Sequence, residues 1–366
     1  MYAFKTLTDQ PFRFIITISG VALCVVLILF LLGIYKGVSE GSVEYVRASD
    51  ADLWVLQRHA TNILRCTSLL TPEHGTKLKE TSGVKSVSPV LFILASVRLA
   101  GEPATLYLTG YDPKAGRGGP PEISKGRNIS KSGEIVIDRS FAAKHHINLG
   151  DTLPVRNDTL VVVGLSKGTN MFVIQYAFIT LADAHRIIGL AGIVTCYLVK
   201  VTSGSDLKDV SSRIEIRLPD VVVFDRTTFL ENNIHEMESG ILPLLFVVAM
   251  IGSVVLMAIL SLILSINVLE RRKDFAIMKA LGSPGGYIPG LVVIQAMILS
   301  GSGLIAGIAL FFPLMGAVER FSPEVSVLTS PFQLFAVIMS VTVISLISSV
   351  FPNRKLRKVY PLEAFK

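Results

Sequence analysis

Few residues in this chain stand in patterns that can do chemistry, and their neighbours discount most of them. His145-His146 offers two imidazoles, but adjacent helical side chains point about 100° apart, a poor geometry for one metal ion. The pair reads as a solvated helix end. His235-Glu236 begins like H-E-x-x-H, yet Ser239 stands where the second His belongs, so a zinc protease is unsupported. Gly301-Ser302-Gly303 with Gly307 resembles a dinucleotide loop, but it lies in an apolar run and follows no strand. There is no G-x-x-x-x-G-K-[ST] to cradle ATP phosphates and no G-x-S-x-G elbow. Cys24 falls in an apolar block; Cys66 and Cys196 fall in the polar part, and whether they pair is open. No catalytic residue, metal ligand or cofactor is expected in this chain.

The stretch that does suggest a task is Glu270–Ser283. Glu270, Arg271, Arg272, Lys273 and Asp274 arrive together, followed by Phe275, Ile277, Met278, Lys279, Leu281 and Gly282. Bases interleaved with acids and apolar residues suit a short helix that docks into a partner's groove. A juxtamembrane basic cluster held to anionic lipid is the plainer alternative.

The surrounding elements must place that stretch at a membrane surface. The chain has 366 residues, 51% hydrophobic, with mean hydropathy +0.57, too apolar for an ordinary soluble protein. No Asp, Glu, Lys or Arg occurs in Phe14–Tyr35, Ser239–Leu269, Ala280–Val318 or Phe332–Phe351. About 20 apolar residues span the hydrocarbon core, so four transmembrane helices are expected, at 14–35, 239–269, 287–313 and 332–352. Gly303 and Gly307 give the third a small-xxx-small packing face. The net charge of +7 comes from bases beside these blocks, which the positive-inside rule explains without nucleic acid. Lys5 and Arg13, the four bases of the 270–283 segment and the five of the 353–366 tail would lie inside; the short 314–331 hairpin, with Arg320 alone, would lie outside. Residues 1–13 suit an interfacial segment. The polar 36–238 stretch reads as an α+β domain with two lobes possible, joined near the Gly/Pro-rich 110–126 loop. A helical stalk from 227 continues into the second span. The expected fold class is thus a membrane protein with four transmembrane α-helices plus a large α+β extracytoplasmic domain inserted between the first and second.

Glu270-Arg271-Arg272-x-Asp274-x-x-x-x-Lys279-Ala280-Leu281-Gly282 resembles the E-R-x-x-E-x-G-x-L-R-A-L-G signature of the MacB/LolC/FtsX class of ABC-transporter permeases. Asp274, Lys279 and Ala276 depart from it. The ending from Arg354 to Ala364 is similar to the class's R-A-x-R-L-D-P-x-E-A-L, with Tyr360 for the usual Asp. Val163–Thr169 and Leu149-Gly150-Asp151 resemble DevC-type glycolipid-exporter permeases. The resemblance implies a bacterial inner-membrane permease with cytoplasmic termini, working as a homodimer or pseudo-dimer by mechanical transmission. A separate cytoplasmic ATPase would bind ATP and Mg and dock at 270–282. A periplasmic adaptor and a TolC-like outer-membrane channel would complete export of an amphiphile such as a glycolipid. The alternatives are an FtsX-like transmitter that activates a cell-wall hydrolase, and a lipoprotein-releasing permease.

Overall fold

The computed structural model describes residues 11–63, 67–99, 102–171, 174–325 and 327–357. It divides into a sheet domain (Gly37–Ile241 with Phe321–Ser326) and a helical unit made of the remainder.

The sheet domain follows α1 (Pro11–Ala48) with β1 (Leu53–Gln57), α2 (Pro72–Lys79), β2 (Val84–Leu99), β3 (Glu102–Tyr111) and β4 (Glu122–Gly126). Next come β5 (Glu134–Asp138), α3 (Arg139–Lys144), β6 (Thr152–Val155), β7 (Asp158–Lys167) and β8 (Gln175–Thr180). Then α4 (Leu181–Ile188), β9 (Cys196–Val201), α5 (Leu207–Arg217) and β10 (Val221–Asp225) lead into α6 (Arg226–Glu270). One ten-stranded sheet results, ordered β10-β1-β9-β2-β3-β8-β5-β7-β4, with β6 beside β7. β3–β8 and β5–β7 run parallel and the other pairs antiparallel.

Strand alternation sorts the core onto two faces. Leu53 and Val55 point to a layer with Leu78 of α2 and Val210 and Ile214 of α5. Leu91, Ile137 and Ile179 meet Phe141 of α3 and Ala184 of α4 beside it. The opposite face carries Trp54, Phe92, Tyr107, Tyr176 and Phe178, covered by Tyr45 from α1 and Phe229 from α6. Each such side chain contributes roughly 1.5–3 kcal/mol on burial.

Three features depart from the sequence expectation. The sheet runs unbroken past residues 110–126, and that stretch supplies β4, an edge strand paired to β7 from Glu122↔Lys167 to Gly126↔Gly164. An exposed edge needs only backbone pairing, so its Gly and polar residues gave no strand signal. α1 continues beyond Tyr35 to Ala48, because Val38, Val43, Tyr45 and Val46 bury one side while Arg47 pairs with Glu40 and Glu44 on the other. α2 was not anticipated: His74 Nδ1 accepts from the Thr71 amide at 3.2 Å, the role Glu or Gln usually plays in a capping box.

The helical unit adds α7 (Arg272–Ala280), α8 (Tyr287–Phe321) and α9 (Pro331–Arg357) to parts of α1 and α6. Among the described residues four helices are long and apolar enough to cross a membrane: Phe14–Ala48, Pro243–Glu270, Tyr287–Phe321 and Pro331–Arg354. Leu256, Leu260, Leu264 and Val268 form a buried stripe every fourth residue of α6. Gly20 of α1 admits Ile259 of α6. Ser300 of α8 donates to Ser345 of α9 at 3.0 Å, and Ser348 of α9 donates to the Met257 carbonyl of α6 at 3.3 Å. Phe246, Met250, Ile251 and Val254 stay exposed, a surface suited to hydrocarbon rather than water.

Candidate functional site

The Glu270–Gly282 stretch is built by two local breaks in the helix. Arg271, at φ −99° and ψ 22°, leaves the helical basin between α6 and α7. At the other end the Ser283 amide donates to the Met278 carbonyl and the Gly282 amide to the Lys279 carbonyl, both at 3.1 Å. These are the two bonds of a Schellman cap, whose left-handed position Gly282 fills at φ +84°. Asp274 in the first turn and Lys279 in the last complement the dipole of α7.

This geometry splits the motif into an inward and an outward side. Phe275 and Ala276 are buried, so the Phe275 ring packs within the chain, and Met278 and Lys279 are half-buried. Arg272, Lys273 and Asp274 are exposed. Ile277 and Leu281, one turn apart on one face, are 47% and 83% exposed. The outward side is therefore a charged head followed by an apolar ridge.

Gly303 and Gly307 lie against α1. A Cβ on Gly303 would sit 2.5 Å from Val21 Cβ, and one on Gly307 2.8 Å from Val25 Cβ. The i, i+4 spacing on both helices lets the backbones approach where any larger residue would separate them.

In the sheet domain the ends of α1 and α6 meet one aromatic cluster. Trp54 stacks on Phe229 at 4.6 Å between ring centroids and meets Tyr45 edge-on at 6.2 Å. Tyr45 stacks on Tyr176 at 5.1 Å, and its hydroxyl donates to the Gly118 carbonyl at 2.9 Å. Burial pushes the Tyr111 hydroxyl up to about 12, against the opposing effect of its hydrogen bond to Asn128. Asp225 holds the first turn of α6 by accepting from the Thr227 and Thr228 amides. The stalk helix was expected from residue 227; the aromatic cluster that seats it was not. Its trace in the sequence is the spacing Tyr107, Tyr111 and Tyr176, Phe178, which puts aromatics on one face of two strands.

Other candidates resolve into structure. A cleft lined by Tyr45, Ser49, Asp50, Tyr111, Arg117 and Asn128 has its charges spent internally, Arg117 donating to Asp50 and Ser86. His145 caps α3 against Phe141, with burial lowering its pKa. Among the described residues no group of three or more His, Cys, Asp or Glu gathers to hold a metal. Cys24 and Cys196 are buried free thiols. Cys66 and the Tyr360 region of the tail lie outside the described residues.

Comparison with known proteins assigns both halves of the chain. Residues 14–216 match the MacB-like periplasmic core domain, and residues 246–361 the FtsX-like permease C-terminal domain. An uncharacterized ABC transporter permease of Mycobacterium tuberculosis is 24% identical, with 99% of each chain covered. The macrolide export ATP-binding/permease protein MacB of Nitrobacter winogradskyi is 20% identical over 99% of this chain and 59% of its own. Among solved structures, the periplasmic region of MacB from Actinobacillus actinomycetemcomitans is similar at TM-score 0.39 and 14% identity, over 51% of this chain and 94% of that one.

Proposed function

We propose, from the premise that the chain belongs to the MacB/FtsX-type family of ABC-transporter permeases, that it converts ATP hydrolysis by a separate cytoplasmic ATPase into motion of its sheet domain. The observation that carries this reading is α6. It is one helix from Arg226 to Glu270, roughly 65 Å long at 1.5 Å per residue. One end presents the Glu270–Gly282 motif, and the other stacks Phe229 on Trp54 in the sheet core. A push on α7 is delivered along a single covalent element. Pro243 removes one internal hydrogen bond of that helix and marks where it bends most easily.

Lys273, Ile277 and Leu281 form the docking stripe for the ATPase, which binds the ATP and Mg. The apolar runs Phe14–Tyr35, Ser239–Leu269, Ala280–Val318 and Phe332–Phe351 carry no Asp, Glu, Lys, Arg or His, which favours a cycle driven from outside the membrane plane over one driven by an ion or proton path. The cargo is then best handled outside the spans, as an amphiphile such as a glycolipid. Two copies in the inner membrane, with cytoplasmic termini, would work with a periplasmic adaptor and an outer-membrane channel.

The test is charge reversal at Arg271, Arg272 and Lys273 in the full chain, reconstituted with its ATPase. Permease-dependent stimulation of hydrolysis should fall at least tenfold, while Trp54 emission stays that of the folded protein. Full stimulation in the reversed variant would reject the docking surface.

A further inference from the structure

The connection between α8 and α9 takes part in both units. Its Phe321–Ser326 portion belongs to the sheet domain. There Lys144 Nζ, at the end of α3, donates to Glu324 Oε2 at 2.6 Å, and Asn170 Nδ2 donates to the Glu324 carbonyl at 2.9 Å. The Glu324 side chain is only 17% exposed. Asn170 is itself oriented, since its amide oxygen accepts from Gln175 Nε2 at 3.1 Å. The turn that carries Asn170 also abuts α1: a Cβ on Gly41 would lie 2.3 Å from the Asn170 carbonyl oxygen, and one on Gly168 2.9 Å from Glu44 Cγ. Within the helical unit the following residues grip α1 again. The Leu328 amide donates to the Gly33 carbonyl at 3.0 Å, and Gln333 Nε2 donates to the Leu32 carbonyl at 3.2 Å. A Cβ on Gly33 would lie 2.5 Å from Val327 Cγ1.

We infer that the Phe321–Ser326 portion is a strap held on the sheet domain, with the Lys144–Glu324 ion pair as its releasable clasp. Resting on the mechanical reading above, the clasp sets how freely the chain between α8 and α9 can leave the sheet domain, and so bears on coupling. An ordinary connecting turn would need only its internal bonds, such as Val325 amide to Ser322 carbonyl and Gln333 amide to Ser330 Oγ. It would not need a carboxylate turned away from water onto a lysine 180 residues distant in sequence.

Hydrogen exchange of the full chain in lipid nanodiscs tests the clasp without any transport assay. Glu324→Ala and Lys144→Ala should each speed exchange across residues 322–328 by roughly two- to fivefold, the range of a partly exposed ion pair. The exchanged pair K144E/E324K should return it to the wild-type rate, and Glu319→Ala should leave it unchanged. Unaltered exchange in Glu324→Ala, or no recovery in the exchanged pair, overturns the strap. With the ATPase added, Glu324→Ala should weaken permease-dependent stimulation and K144E/E324K restore it. Stimulation indifferent to both overturns the coupling role. Absence of stimulation in the wild type would count against the permease reading, while the exchange data still decide the clasp.

Discussion

Replacing Gly303 by Ala adds one methyl group to α8 at its closest approach to α1. The new Cβ would lie 2.5 Å from Val21 Cβ and Cγ1 and 3.3 Å from the Ile18 carbonyl oxygen. Apolar carbons settle at 3.5–4.0 Å, so the helices must part by about 1 Å. Such overpacking costs roughly 1–3 kcal/mol. Gly301 on the same helix is the control, because its Cβ would meet nothing within 4 Å. There the substitution gains about 0.5–1 kcal/mol from helix propensity alone. The helix-propensity gain is common to both variants, so they should differ by roughly 1–3 kcal/mol in reversible unfolding in mixed micelles, followed by circular dichroism. Trimming Val21 to Ala should not rescue Gly303→Ala, since Val21 Cβ itself stands in the way. Adding Gly307→Ala should cost less than a second full increment, because one displacement of the helices relieves both contacts. Equal stability of Gly303→Ala and Gly301→Ala would refute the close-packing argument.

Two further outcomes follow from the sheet domain. Phe229→Ala removes a fully buried ring stacked on the chain's one tryptophan; it should cost about 3–5 kcal/mol and shift Trp54 emission to the red, and an unshifted spectrum would deny that α6 seals the cluster. Glu134 is held down to about 2 by its paired hydrogen bonds from Arg127, against burial and with help from the Ser130 and Lys131 amides. Because this folded pKa lies below the ordinary 4.5, its contribution is complete above pH 4.5 and is lost as pH falls towards 2. Wild type should lose about 2–3 kcal/mol across that window from this group, and Glu134→Gln should lack that component; identical acid profiles would overturn the assignment.

Local chemistry was enough to read the spans, because hydrocarbon tests each segment by length and charge alone. The uncharged runs, the helical continuation of 227–238 into α6, and the Gly303/Gly307 spacing depend on residues close in sequence. So does the turn at Gly282, where only a left-handed backbone closes the cap. The division of the 270–282 motif is different. Nothing local tells that Phe275 turns inward while Ile277 and Leu281 stay out, since both patterns are equally helical.

The tertiary structure decided what distant segments do together. β1 pairs with β10, joining Leu53 to Asp225, and α1 and α6 bring Tyr45 edge-on and Phe229 face-on to Trp54. Glu122–Gly126, inside the expected join, became an edge strand of one sheet, and a hairpin that looked like a simple return brought Glu324 to Lys144. Loop-closure entropy grows only slowly with loop length and so discriminates weakly among distant pairings; the choice rests on which faces bury together, a property that exists only once the chain has collapsed.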